Sequence, residues 1–199
     1  MALWQRMGAQ GSAIDVYEDL VARYSQMDRA YHTLEHIGHC LDEFELVRHL
    51  AGQPDAVELA LWFHDAVYDA KATNCEARSA ALAEEMVRSA VLPDELGATV
   101  AGLIMATKHS AIPADSDTRL LVDIDLSILG QPEGRFDQYE REIRQEYAWV
   151  PEDAFVAART AILAAFIGRP SIYSTETFRF RYETQARANI ARSLARLRT

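Results

Sequence analysis

Asp55-Ala56-Val57-Glu58-Leu59-Ala60-Leu61-Trp62-Phe63-His64-Asp65-Ala66-Val67-Tyr68 is apolar at almost every position. A helix that is hydrophobic on nearly all sides has no face to give to water and belongs at the centre of a helical protein. The stretch therefore predicts a buried central helix over 55–68. Two ionisable neighbours, His64 and Asp65, fall inside it. Burying such groups is expensive unless they are paired, hydrogen-bonded or bound to a metal, so their presence has to be explained by residues elsewhere in the chain.

Outward from this helix, nearly every segment spaces its apolar residues with the 3.6-residue helical period, and β-branched runs of strand length bounded by turns are missing. The fold class is all-α, with about eight to nine helices at roughly 12–27, 33–50, 55–68, 75–91, 94–109, 117–129, 134–149, 152–167 and 176–197. Pro54, Pro93, Pro132 and Pro151 each stand at or just before a proposed start, where the fixed φ suits a first turn and the missing N–H does no harm.

With 199 residues, 49% hydrophobic and 25% charged, the chain is globular and can bury roughly 70% of its unfolded surface. A single domain over 1–199 is expected. Net charge is −10, but residues 151–199 hold eight Arg against four acidic residues, so the part from about 151 is more basic and the remainder strongly acidic. An acidic body disfavours long nucleic acid, whose affinity comes from Lys and Arg on phosphates. Two cysteines, Cys40 and Cys75, do not make a disulfide scaffold, and the start Met1-Ala2-Leu3-Trp4-Gln5-Arg6 lacks a signal-peptide pattern, which places the expectation in the cytoplasm. The apolar run Ala161–Gly168, bounded by Arg159 and Arg169, is too short to span a membrane.

Residues able to accompany His64 and Asp65 lie on both sides. Tyr31-His32-Thr33-Leu34-Glu35-His36-Ile37-Gly38-His39 sets three histidines at a helix start, with His32 and His36 four apart and able to share a face. Leu120-Leu121-Val122-Asp123-Ile124-Asp125-Leu126-Ser127-Ile128-Leu129 buries two carboxylates among apolar residues. Two His and two Asp from three helices are a suitable set for a divalent ion: Mn, Fe, Co, Ni, Zn or Mg.

On these motifs the chain resembles the HD superfamily of metal-dependent phosphohydrolases, whose pattern is a His, a His-Asp doublet and a distant Asp, all on helices. The resemblance implies an HD-domain-like helical bundle with His36, His64, Asp65 and Asp125 as metal ligands. Asp125 is preferred to Asp123 because Asp125-Leu126-Ser127 matches one form of the last motif. The first motif also resembles that of cyclic-nucleotide phosphodiesterases, which implies His32 as proton donor and His36 as ligand. Nearly the whole chain is similar to a small bacterial branch of predicted HD phosphohydrolases, through Phe63–Asp69, Glu76–Ala80, Tyr139–Tyr147 and Glu183–Asn189.

The expected activity is hydrolysis of a phosphomonoester or phosphodiester in a small, nucleotide-like substrate. Asp65 would bridge if two ions bind, and Lys108 or an Arg would neutralise phosphate. A di-iron oxygenase and a non-catalytic metal or nucleotide sensor are the alternatives, the first kept alive by His109. Plainer readings stand beside these. His32 could settle the helix start next to Thr33, a candidate N-cap; His109 could complement a helix dipole; and Glu76 could merely orient a ligand. Arg159 and Arg187 could pair with Glu183, Glu146 or a phosphate, while Cys40 and Cys75 read as small buried hydrophobes. No membrane partner is expected, and a homodimer through an apolar helix face is an open expectation.

Overall fold

The computed structural model describes residues 2–109, 111, 113 and 115–198. Among them there are ten α-helices and no strand, the all-α class that the spacing requires. The helices are α1 (Ala2–Met7), α2 (Ala13–Tyr24), α3 (Leu34–Val47), α4 (Pro54–Phe63), α5 (Cys75–Ser89), α6 (Asp94–Ala106), α7 (Ser116–Asp125), α8 (Glu133–Glu146), α9 (Glu152–Ile167) and α10 (Glu176–Arg196). Short 3₁₀ turns continue α3 at Arg48–Leu50 and α7 at Leu126–Gly130. No helix among the described residues is long and apolar enough to cross a membrane.

Local chemistry sets most boundaries. Ser12, Thr33 and Thr175 cap α2, α3 and α10, their hydroxyls accepting from the backbone N–H of Asp15, Glu35 and Phe178. Pro54 is the first residue of α4, and Pro93, Pro132 and Pro151 precede α6, α8 and α9 directly. Only α1 lies outside the expected set. Six residues are too few to show a helical period, and α1 is held by tertiary contact: it packs on α4, buries Leu3, and lays Arg6 against Asp55 and Glu58.

The chain divides into two compact units, Met1–Val122 and Asp123–Thr199. In the first, α4 is the hub, in contact with α1, α3, α5 and α6, and it buries Ala56, Val57, Leu59, Ala60, Leu61 and Phe63. That is the all-round burial its composition demands. Asp117, in the first turn of α7, accepts from the backbone N–H of Gly52 and Gln53 at 2.8 and 2.7 Å, satisfying donors at the start of α4.

In the second unit, α10 packs on the Leu126–Gly130 turn and on α9. Buried Asn189 donates to the carbonyls of Leu129 and Gln131, and Glu183 accepts from the N–H groups of Ile172 and Tyr173. Several arginines of this region are used in ion pairs, among them Arg187 with Glu183 at 2.7 Å, and Arg159 with Glu140 rather than Glu146. Several apolar residues of α9, Ile162 among them, stay exposed.

Candidate metal centre

The central helix is shorter than its hydrophobic pattern suggests. It stops at Phe63, so His64 caps it and Asp65 lies beyond it rather than inside it. Tertiary partners take the carbonyls that a continued helix would have used. Tyr24 donates its hydroxyl to Trp62 O at 2.9 Å, and the buried Arg29 guanidinium donates to Asp65 O at 2.7 Å and Ala66 O at 3.2 Å. Ser79 on α5 then exchanges hydrogen bonds with the N–H and carbonyl of Val67.

This ending brings the doublet to one point. Adjacent residues of a continuing helix point about 100° apart and do not meet. Past the last turn of α4, by contrast, the Asp65 carboxylate turns back onto its neighbour, with Oδ2 at 3.0 Å from His64 Nε2. His36 of α3 brings its own Nε2 to 3.1 Å from His64 Nε2 and 3.5 Å from the same Asp65 oxygen. Both rings are about 1% exposed, while Asp65 keeps 18% of its side chain open.

Three donor atoms 3.0, 3.1 and 3.5 Å apart have the spacing of ligands that each stand about 2.0–2.2 Å from one ion. The His64 tautomer agrees. His64 Nδ1 lies 2.9 Å from Leu61 O, and a carbonyl can only accept, so Nδ1 carries the proton and the lone pair of the neutral ring is on Nε2. Burial alone would push the Asp65 carboxyl up, but the charge of the His64 and His32 imidazoles in their protonated form, with the hydrogen bonds that protonated His36 and His64 donate, holds it well below the usual carboxylate range. An ionised carboxylate and two inward nitrogens form a site that can hold a metal ion.

His32 stands beside this triangle. It precedes α3 and is not in its first turn, so the one-turn stagger with His36 does not apply as the spacing implies. The ring is nevertheless close, 6.0 Å from that of His36 between centroids, and it stacks on Tyr68 at 4.1 Å. Its carbonyl accepts from Arg29 at 3.0 Å, so one guanidinium ties the segment carrying His32 to the one carrying Asp65.

The two carboxylates of α7 have separate surroundings. Asp123, with no exposed surface, accepts from Ser174 N at 2.8 Å and from Thr175 N and Oγ1, each at 2.7 Å, and so is consumed in fixing the start of α10. Burial pushes its carboxyl above the usual range against those hydrogen bonds. Asp125 is the last residue of α7 and is half-buried.

Three further expected residues lie at helix ends. Lys108 is exposed just past α6, which ends at Ala106 with Thr107 as its cap, and His109 follows with a left-handed φ of +52°. Glu76 sits in the first turn of α5, where its charge suits the dipole.

Two residues stand out only in three dimensions. Arg29 has no periodic or motif signal. Cys40, read as a small hydrophobe, is fully buried but lies against the His36 ring, with Sγ at 3.7 Å from Nδ1 and 3.8 Å from Nε2. The sole available hint was its position four residues after His36 on one helix face. Comparison of the chain with protein-family models, with curated proteins and with solved structures finds no match.

Proposed function

We propose that this protein is a metal-dependent hydrolase acting on a phosphomonoester or phosphodiester in a small, nucleotide-like substrate. The observation that carries the reading is the triangle of His36 Nε2, His64 Nε2 and Asp65 Oδ2, with the His32 imidazole beside it. The motif resemblance to HD phosphohydrolases supplies the reaction class, and the acidic composition favours a small anionic ligand over a polyanion.

His36, His64 and Asp65 would hold the ion, with Asp125 as the further ligand that the motif implies. A divalent ion there would acidify a water and polarise a phosphoryl oxygen. His64 keeps its lone pair inward because Leu61 O holds the opposite proton. A His32 ring nitrogen carries a proton and delivers it to the leaving oxygen as the ester bond breaks, while Tyr68 stacked on the ring keeps it from turning away. Lys108 supplies positive charge to the phosphate. Arg29 holds the backbones of His32 and Asp65 together and so keeps proton donor and ligand in register.

The test is metal analysis of protein purified without chelator, joined to a screen of phosphorylated metabolites and nucleotides at neutral pH with Mn, Co, Ni, Zn, Fe or Mg. Stoichiometric metal and phosphate release are expected. Bound metal without hydrolysis of any of these, or oxygen consumption by an iron form, would overturn the hydrolase reading.

A further inference from the structure

We infer that Cys40 is a thiolate ligand of the same centre, which makes it a site for a thiophilic ion such as zinc, cobalt or iron rather than for magnesium. The inference rests on the reading of His36 and His64 as metal ligands and adds to it the identity of the metal.

The geometry comes from one helix face and its neighbour. His36 and Cys40 are four residues apart on α3, so both side chains leave the helix on the side facing His64. One ligand atom from each of His36, Cys40 and His64 lies within 4.8 Å of the others. With nitrogen about 2.0 Å and sulfur about 2.3 Å from a tetrahedral ion, the nitrogen–sulfur edge is about 3.6 Å. Cys40 Sγ lies 3.8 Å from His36 Nε2 and 3.7 Å from Nδ1, beside the ring rather than in line with the Nε2 lone pair, so its side chain turns towards His64 when the ion binds.

Chemistry favours the same role. A cysteine that merely fills space is surrounded by carbon, whereas this sulfur touches an imidazole whose Nε2 faces two other donors. When a divalent ion binds, the thiol proton leaves to solvent buffer and the sulfur lone pair forms the metal bond, with no change of oxidation state. The thiolate then adds negative charge beside the ion's two positive charges, together with the carboxylate ligands. A soft sulfur donor selects zinc, cobalt and iron over hard magnesium and manganese.

Cobalt(II) reports the ligand directly, because sulfur coordination adds a charge-transfer band in the near ultraviolet to the visible d–d bands. Metal-free full-length protein titrated with cobalt(II) should develop both sets at one ion per chain. Cys75→Ser should leave the ultraviolet band intact. Cys40→Ser should lose it while keeping d–d bands, and its zinc affinity should fall by at least the tenfold or so that even an outer partner of a ligand is worth. Visible bands without the sulfur band in the unmodified protein would overturn the role of Cys40 and leave the histidine centre standing. Absence of all cobalt bands would overturn both. Because the unmodified protein gives the decisive spectrum, the answer does not depend on Cys40→Ser folding.

Discussion

His36 and His64 meet Nε2 to Nε2 at 3.1 Å, and in neutral His64 the inward nitrogen is an acceptor because Leu61 O holds its other proton. Two buried imidazole nitrogens this close can share one proton or direct both lone pairs at one cation, and the Asp65 oxygen facing both makes the cation the better occupant.

Metal should therefore be a folding ligand. A divalent ion at one hundred times its Kd should stabilise the native state by about 2.7 kcal/mol, read as a rise in Tm over chelator-treated protein. His36→Ala, His64→Ala and Asp65→Ala should each keep helical circular dichroism and lose that rise. A rise undiminished in all three would place the ion elsewhere.

Asp123 and Asp125 should separate stability from binding. Asp123→Ala leaves the N–H groups of Ser174 and Thr175 without their acceptor and should destabilise the protein by about 2–4 kcal/mol, with stoichiometric metal retained. Asp125→Ala should weaken metal binding with little change in metal-free Tm. Calorimetry with metal titration checks both, and the reverse pattern would shift the ligand two residues along α7.

His32→Asn should keep metal content and fold. It should lower kcat by about 10²–10⁴-fold on substrates with poor leaving groups and far less on a nitrophenyl phosphate. Loss of metal would make His32 a ligand, and unchanged kcat would return it to a side chain that settles the start of α3.

Arg29→Lys should be severe although charge is conserved, since an ammonium cannot reach three carbonyls on His32, Asp65 and Ala66 together. A loss of about 2–4 kcal/mol is expected in thermal or denaturant unfolding, with kcat reduced in the fraction that remains folded. A neutral result would show that water replaces the guanidinium.

Acid should remove one identifiable contribution. Arg196 and Arg192 hydrogen-bond the Asp137 carboxylate and lower it from its ordinary 3.8 to about 2. A depressed folded pKa contributes stability that is present above the unfolded value and fades as pH falls from near 4 towards 2. The pair is open to water, so the Tm gap between the unmodified protein and Asp137→Asn should correspond to about 1 kcal/mol or less at pH 6, should narrow as pH falls below 4 and should close only below the folded value of about 2.

How much of this could be read along the chain depended on the range of the interactions. Helical period, proline starts, hydroxyl caps and the burial of Val57 to Phe63 are local or compositional, and the all-α class and nine of the ten helices follow from them. The oddity of His64 and Asp65 inside an apolar run, and the histidines near His36, also marked where chemistry concentrates. Tertiary contact decided the rest. Helix α4 stops at Phe63 because Tyr24 and Arg29 take the carbonyls at its end, and that stop lets neighbouring side chains converge as no helix would allow. The role of Asp123 depends on backbone N–H groups some fifty residues later, and Cys40 acquires chemistry only when its helix face meets His64. Period and propensity act over a few residues, whereas satisfying a buried carbonyl, carboxylate or sulfur depends on which distant groups the fold delivers.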